Sequence, residues 1–242
     1  MGSNGFSEDN SPQRVVMLDS FSIYRYPVTV AQYRRYCDDT AYPMPHAYWH
    51  WEEMDPIVGV TWEEAIAYCE WADVTLPTEA QWEKAARGVD GRAFPWGDQF
   101  DQRSDHRLLP KNAGKTTAVG TYPSGASPFG LMDMVGNIQQ WCLDLYDDEY
   151  YKSAPNSNPP GPIASARRRA NKSGLVQKLF NKDLPQSTHG AEHRVVRGSS
   201  WKDHHESFAY VFRRETYTPG VRLPWVGFRC VAPSVSPPND LD

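Results

Sequence analysis

Arg194-Val-Val-Arg-Gly-Ser-Ser-Trp201, followed about two dozen residues later by Gly227-Phe-Arg-Cys230, frames the C-terminal part of this 242-residue chain. Between the two ends the sequence is mixed and rich in aromatics. Phe208, Tyr210, Phe212, Tyr217 and Trp225 are set among Glu215, Leu223 and Pro224. Arg197, Gly198, Trp201, Arg214, Pro219, Arg222 and Gly227 to Arg229 read as the fixed frame. A fixed frame carrying varied, aromatic-rich side chains is how a binding surface is built, because Tyr and Trp supply large contact area at low entropic cost. Asp203-His204-His205-Glu206 is the densest run of metal-ligand types. Adjacent histidines diverge in an extended segment and in a helix, so exposed loop residues or ligand contacts are the competing readings to a metal triad.

Working outward, three helix starts share one signature. Thr29-x-x-Gln32, Thr61-x-x-Glu64 and Thr78-x-x-Gln81 are capping boxes, in which each end of the box satisfies a backbone N–H of the other. Apolar stripes follow at helical spacing: Val30, Tyr33 and Cys37; Trp62, Ala65, Ile66 and Cys69; Trp82, Ala85 and Ala86. These predict core helices, the last closed by Gly88. Ala41 to Trp51, with two prolines, predicts an aromatic loop over the body, and Phe94-Pro-Trp-Gly-Asp98 a turn. Gly120 to Gly136 reads as strand and turn, and Val195-Val196 and Val226 to Val231 as strands. Lys152 to Ala191 holds seven basic residues against Asp183, in a chain of net charge −5. That stretch reads as a solvated insertion, with docking of an acidic partner or an RNA as the sharper alternative.

Composition excludes several classes. A chain of this length can be one domain. The negative charge disfavours a general nucleic-acid binder. No apolar run is long enough for a membrane span. Cys37, Cys69, Cys142 and Cys230 form no close pair, so a zinc knuckle is not expected and buried free thiols are. With no signal peptide in Met1 to Arg14, this points to a reducing cytoplasm. Residues 1–14 read as a disordered leader, 15–232 as the domain and 233–242 as a tail. Nucleophile-elbow, P-loop and dinucleotide motifs are absent.

Several stretches in order carry a family resemblance. Phe21-Ser-Ile-Tyr-Arg-Tyr-Pro-Val-Thr29, Pro56 to Trp62, Leu76-Pro-Thr-Glu-Ala-Gln-Trp-Glu-Lys-Ala-Ala-Arg87, Phe94 to Asp98, Gly130 to Asn137 and the R-G-S-S-W…G-F-R frame resemble the formylglycine-generating-enzyme (sulfatase-modifying factor) family. The resemblance runs from about Val15 to Ala232, apart from an insertion near 163–193. It implies an α+β, C-type-lectin-like fold with two or three helices around a twisted antiparallel sheet.

The same resemblance marks two departures. The family's oxidases carry two cysteines soon after this R-G-G-S-W element that hold the active metal, and Lys202 to Tyr210 has none. Soft copper(I) needs thiolates, so formylglycine generation in the known way is not expected. Where the family often has Asn-x-x-Glu-Trp, this chain has Asn137-Ile-Gln-Gln140-Trp141. Without the acid the alternatives are a weakened structural calcium at Asn137 and Gln140, or local hydrogen bonding; no other cofactor is expected.

The pattern also resembles the variable proteins of diversity-generating retroelements, whose C-terminal segment is rewritten at adenines. By that analogy Asp203, His204, Ser207, Phe208, Tyr210, Phe212, Glu215, Tyr217, Val221, Leu223 and Trp225 contact the ligand, with 194–230 the variable region; a core role for Phe208, Phe212 and Val221 is the alternative. The leading expectation is a non-catalytic module binding a protein or other macromolecule. The others are a family enzyme with altered chemistry, such as a metal-dependent oxidase or sulfoxide-synthase-like protein, and a subunit docking through 163–193.

Overall fold

The computed structural model describes residues 1–101, 114–162, 193–203 and 205–232. The insertion apart from His193, the tail and His204 therefore lie outside the described residues. Helices α1 (Val30–Thr40), α2 (Trp62–Trp71) and α3 (Glu79–Arg87) begin at Thr29, Thr61 and Thr78, and each capping box closes in both directions. A short α4 spans Tyr150–Ser153. The C-cap of α3 is Gly88, at φ 75°, with its N–H on the Lys84 carbonyl.

Strands are short: β1 Ser22–Ile23, β2 Gln139–Leu145, β3 Arg194–Arg197, β4 Arg214–Tyr217, β5 Val226–Gly227 and β6 Val231–Ala232. Four form one sheet in the order β4-β3-β2-β5, and β1 pairs with β6. The sheet is mixed rather than antiparallel throughout, because β5 joins β2 in parallel. The expected strand over 226–231 is split into β5 and β6. Residues 120–136 contain turns and a 3-10 segment at Pro123–Gly125 in place of a strand.

Side chains alternate across the sheet and so divide the core in two. Trp141 and Val196 face α1 and α2, joining Val30, Tyr33, Trp62, Ile66 and Phe228. Cys142 and Val195 face the other way, joining Trp82, Ala85 and Ala86 of α3 and Val211. All the predicted stripe residues are buried. Among the described residues no helix is long and apolar enough to cross a membrane.

Residues 1–14 correct the sequence reading. They pack on the body rather than trailing as a leader. Gly2 donates to Glu83 Oε1 at 2.9 Å and accepts from Arg87 Nη1 at 2.7 Å. Asp9 O accepts from Arg214 Nη1 at 2.9 Å, and the Phe6 ring meets Tyr210 and Phe212 edge-on, each at 5.3 Å. Its backbone satisfies buried charges of α3 and β4, while side chains such as Asn4, Glu8 and Gln13 stay exposed.

Gly227 explains one letter of the frame. A Cβ there would collide with the carbonyl oxygen of Ile57 and lie 2.8 Å from Ile138 Cδ1. Since the first obstacle is backbone, Gly227→Ala is expected to lower stability by ~1–3 kcal/mol. A urea-unfolding midpoint unchanged by the substitution would refute that packing argument.

Candidate ligand-binding face

The C-terminal segment is pinned from below by buried arginines. Arg197 is fully buried, donating to Glu79 Oε1 and Glu83 Oε2 at 2.8 Å each and to Val211 O at 2.6 Å. Arg214, its cross-strand partner, gives its Nε to Glu79 Oε1 at 2.8 Å. Arg229 donates to Gln140 Oε1 and to the carbonyls of Tyr24, Arg25, Met132 and Asp133. All of these acceptors are neutral oxygens, and burial outweighs the Asp133 charge and pushes its pKa down to about 10.

The R-G-S-S-W turn docks on the V-G-N stretch. Gly198 has φ 78°, and a Cβ there would stand 2.8 Å from Met134 O. Ser199 Oγ accepts from Gly136 N at 3.0 Å, and Trp201 N donates to Asn137 O at 3.1 Å.

Above this base the candidate contact residues separate into two groups. Tyr210 stacks between Phe94 and Phe212, at 5.1 and 4.9 Å, and Phe212 is only 7% exposed beneath Phe6 and the Arg87 guanidinium. Both belong to the body on the α3 side, and for Phe212 the core alternative holds. Tyr217, Val221, Leu223 and Trp225 are half-buried on the opposite side, against the α1–α2 core. Tyr217 donates to Gln139 Oε1 at 3.0 Å, and burial pushes its phenol up, so it stays a donor. Phe208 lies under the Arg213 guanidinium at 4.1 Å, and Arg213 Nε reaches Glu215 Oε1 at 2.9 Å.

Asp203 is a correction. It is 6% exposed, and its carboxylate accepts from Ser200 N at 2.8 Å and Ser200 Oγ at 3.0 Å, so it closes the turn instead of facing a ligand. Ser207 bonds locally as well, its Oγ 2.9 Å from His205 Nδ1. The carboxylate of Asp203 and the ring of His205 are thus engaged within the turn, and among the described residues no three His, Cys, Asp or Glu are grouped to hold a metal.

Asn137 and Gln140 both make local hydrogen bonds. Asn137 Oδ1 accepts from Thr117 N at 3.1 Å. Gln140 Oε1 accepts from Trp82 Nε1 at 2.9 Å and from Arg229 Nε at 2.6 Å.

The sequence reading missed the neighbours that complete the surface. Trp201 was placed in the frame, yet its ring is half-buried, edge-on to Trp49 at 5.8 Å, with Tyr48 beyond at 41% exposure. Lys202 Nζ sits 3.8 Å over Trp225, and Trp201 Nε1 donates to Pro224 O at 3.3 Å. The signal was the aromatic run Tyr48-Trp-His-Trp51, which brings part of the loop over 41–51 to the rim.

The cysteines are all buried and free. Cys69 and Cys230 have Sγ atoms 3.7 Å apart, and burial raises the Cys69 and Cys142 thiols well above their ordinary value. A thiol held protonated is a poor soft ligand.

Residues 1–233 match the Sulfatase-modifying factor enzyme 1-like domain. The chain belongs to the sulfatase-modifying factor family. Among curated members, the formylglycine-generating enzyme of Streptomyces coelicolor is 32% identical over 77% of this chain and 53% of its own length. Hercynine oxygenase of Mycolicibacterium smegmatis is 29% identical over 90% of this chain and 56% of its own. The chain also spans 35% of the serine/threonine-protein kinase pkn1 of Chlamydia caviae, at 29% identity. It thus covers about half or less of these relatives. PvdO from Pseudomonas aeruginosa superposes with TM-score 0.75 at 21% identity, covering 96% of this chain and 89% of that one. Treponema denticola variable protein 1 does so with TM-score 0.68 at 22% identity, covering 96% and 90%. These likenesses place the fold within the α+β, C-type-lectin-like architecture of the family.

Proposed function

We propose that this family member is a non-catalytic ligand-binding domain whose C-terminal face meets a macromolecular partner, and that it is the diversified variable protein of a retroelement. The observation that carries the reading is the pairing of an immobile base with an aromatic rim. Buried Arg197, Arg214 and Arg229 hold the segment, while Trp49, Trp201, Tyr217, Leu223 and Trp225 stand half-buried at its surface. Half-buried Trp and Tyr on a rigid base are the residues that dominate interface energetics.

The gene's surroundings test the reading. A neighbouring reverse transcriptase, with a near-repeat of the segment coding for residues 194–230 that differs at adenines, is the expected finding; its absence would remove the retroelement part. With the partner in hand, Trp225→Ala is expected to weaken binding by about 2 kcal/mol, roughly thirtyfold, in isothermal titration. Asp203→Asn, which keeps the turn's acceptor, is expected to leave affinity unchanged.

The family enzymes at 29–32% identity favour an altered-chemistry enzyme as the second reading. Stoichiometric metal in the purified protein, lost on replacing His204 or His205, would decide for it.

A further inference from the structure

We propose that the groove between Arg14–Phe21 and helix α3 is a docking site for an extended peptide strand of a partner polypeptide, added antiparallel to the open edge at Val16 and Leu18 and carrying an acidic side chain opposite Lys84. The first observation is backbone geometry. Arg14 N donates to Met1 O at 2.8 Å, and Met1 N to Arg14 O at 2.7 Å, which is a doubly bonded antiparallel pair. On such an edge the bonding residue recurs every second position, so Val16 and Leu18 come next. The opposite edge is filled: Met17 N donates to Asn156 O at 2.7 Å and Met17 O accepts from Asn158 N at 2.8 Å. Among the described residues no backbone hydrogen bond engages Val16 or Leu18. An extended edge with unmet donors and acceptors is a template for an added strand.

The second observation is the space beside that edge. Two cavities of about 300 and 420 Å³ adjoin it, and both are lined by Leu18 and Lys84. The first reaches Val16 and Ala80, the second Phe21 and Phe129. Val15 and Val89 at the first cavity and Phe129 at the second are 84%, 81% and 55% exposed, bare apolar side chains beside the edge. A strand laid here would place alternate apolar side chains in the two cavities.

The third observation is charge. Arg87 is tied to Glu83, and Arg14 to the carbonyls of Tyr151, Ala154 and Pro155. Lys84 stands between the cavities with its ammonium 6.0 Å from the Phe129 ring, and among the described residues it forms no ion pair. An acidic residue on the same face, flanked by apolar residues two positions away on each side, is the complement.

The probe is an acetylated, amidated peptide, Thr-Val-Thr-Asp-Thr-Val-Thr, whose two valines and aspartate share one face of the strand, titrated into the whole chain, with amide hydrogen exchange read at Val16 and Leu18. Saturable binding with at least tenfold protection of those two amides is expected. Val16→Pro removes the edge donor, leaves the Met17 edge intact, and should abolish binding. Lys84→Glu should weaken the peptide at least tenfold and favour its Asp-to-Lys analogue; this charge swap decides the matter if the proline variant does not fold. No saturation up to about 1 mM peptide, an affinity near the weak limit of specific binding, overturns the proposal. So does protection of the same amides in a dimer of the chain alone, which would make a second copy the occupant. Protection only when the strand is fused ahead of Met1 overturns the separate partner too.

Discussion

Arg197→Met is expected to cost about 3–5 kcal/mol of folding stability, the range for removing one member of a buried ion pair. Arg197 is fully buried, and its two terminal nitrogens hold Glu79, Glu83 and the Val211 carbonyl. Methionine fills similar volume, so the loss is electrostatic rather than a cavity. Glu79 would keep Arg214 and Glu83 would keep Arg87, which stops the cost from rising further. Burial alone would push the Glu83 carboxyl up; Arg197 and Arg87 outweigh it and hold it below the ordinary value. Adding Glu83→Gln to Arg197→Met should therefore recover part of the loss, a coupling that urea denaturation of the two single variants and the double can measure. A loss under about 1 kcal/mol, with no coupling, would show that the network is replaceable.

What could be read in the sequence follows how local the physics is. The three helices were legible because a capping box closes within four residues and the stripe behind it repeats on the helix's own period. Strand β2 was not. Its Gln139 and Gln140 look like loop residues, but their side chains are met by Tyr217, Trp82 and Arg229, all distant in sequence. The same holds for residues 1–14, whose polar backbone answers Glu83, Arg87 and Arg214.

The site was half legible. The residue types announced an aromatic surface, and Tyr217, Val221, Leu223 and Trp225 do gather on one side. The turn over 205–213 sends Tyr210 and Phe212 to the other side, onto Phe94, where no local pattern could have placed them. Asp203 carries an oxygen that suits a ligand, but turn closure at Ser200 uses it. The frame is therefore more conservative of shape than of chemistry. It keeps the arginines and glycines that hold the backbone and leaves the surface to other residues.

Asp144→Asn is expected to flatten the dependence of stability on pH. Asp144 is 3% exposed on β2, with its carboxylate taking the Glu79 backbone N–H at 2.7 Å. Its pKa is pushed from 3.8 up to about 7, first by burial and then by the Glu79 charge, against the weaker pull of that N–H and of Arg214. Glu79 is already neutralised by Arg197 and Arg214, which leaves Asp144 to be accommodated by staying protonated. A folded pKa above the unfolded one means that the group's contribution is full below about 4 and is lost as pH rises through about 7. At about 1.4 kcal/mol per tenfold, the gap amounts to on the order of 4 kcal/mol. Asparagine keeps the acceptor for the Glu79 N–H and carries no charge, so it should escape this loss. Urea-unfolding free energies of the two proteins should diverge by about 3 kcal/mol between pH 5 and pH 8.5, the variant becoming relatively more stable as pH rises. Taking the difference removes the groups that do not interact with Asp144 and leaves the joint titration of Asp144 and Glu79, whose charges interact. Parallel curves would mean that Asp144 ionises as an ordinary carboxylate, and that Arg214 carries both acids of this cluster rather than one.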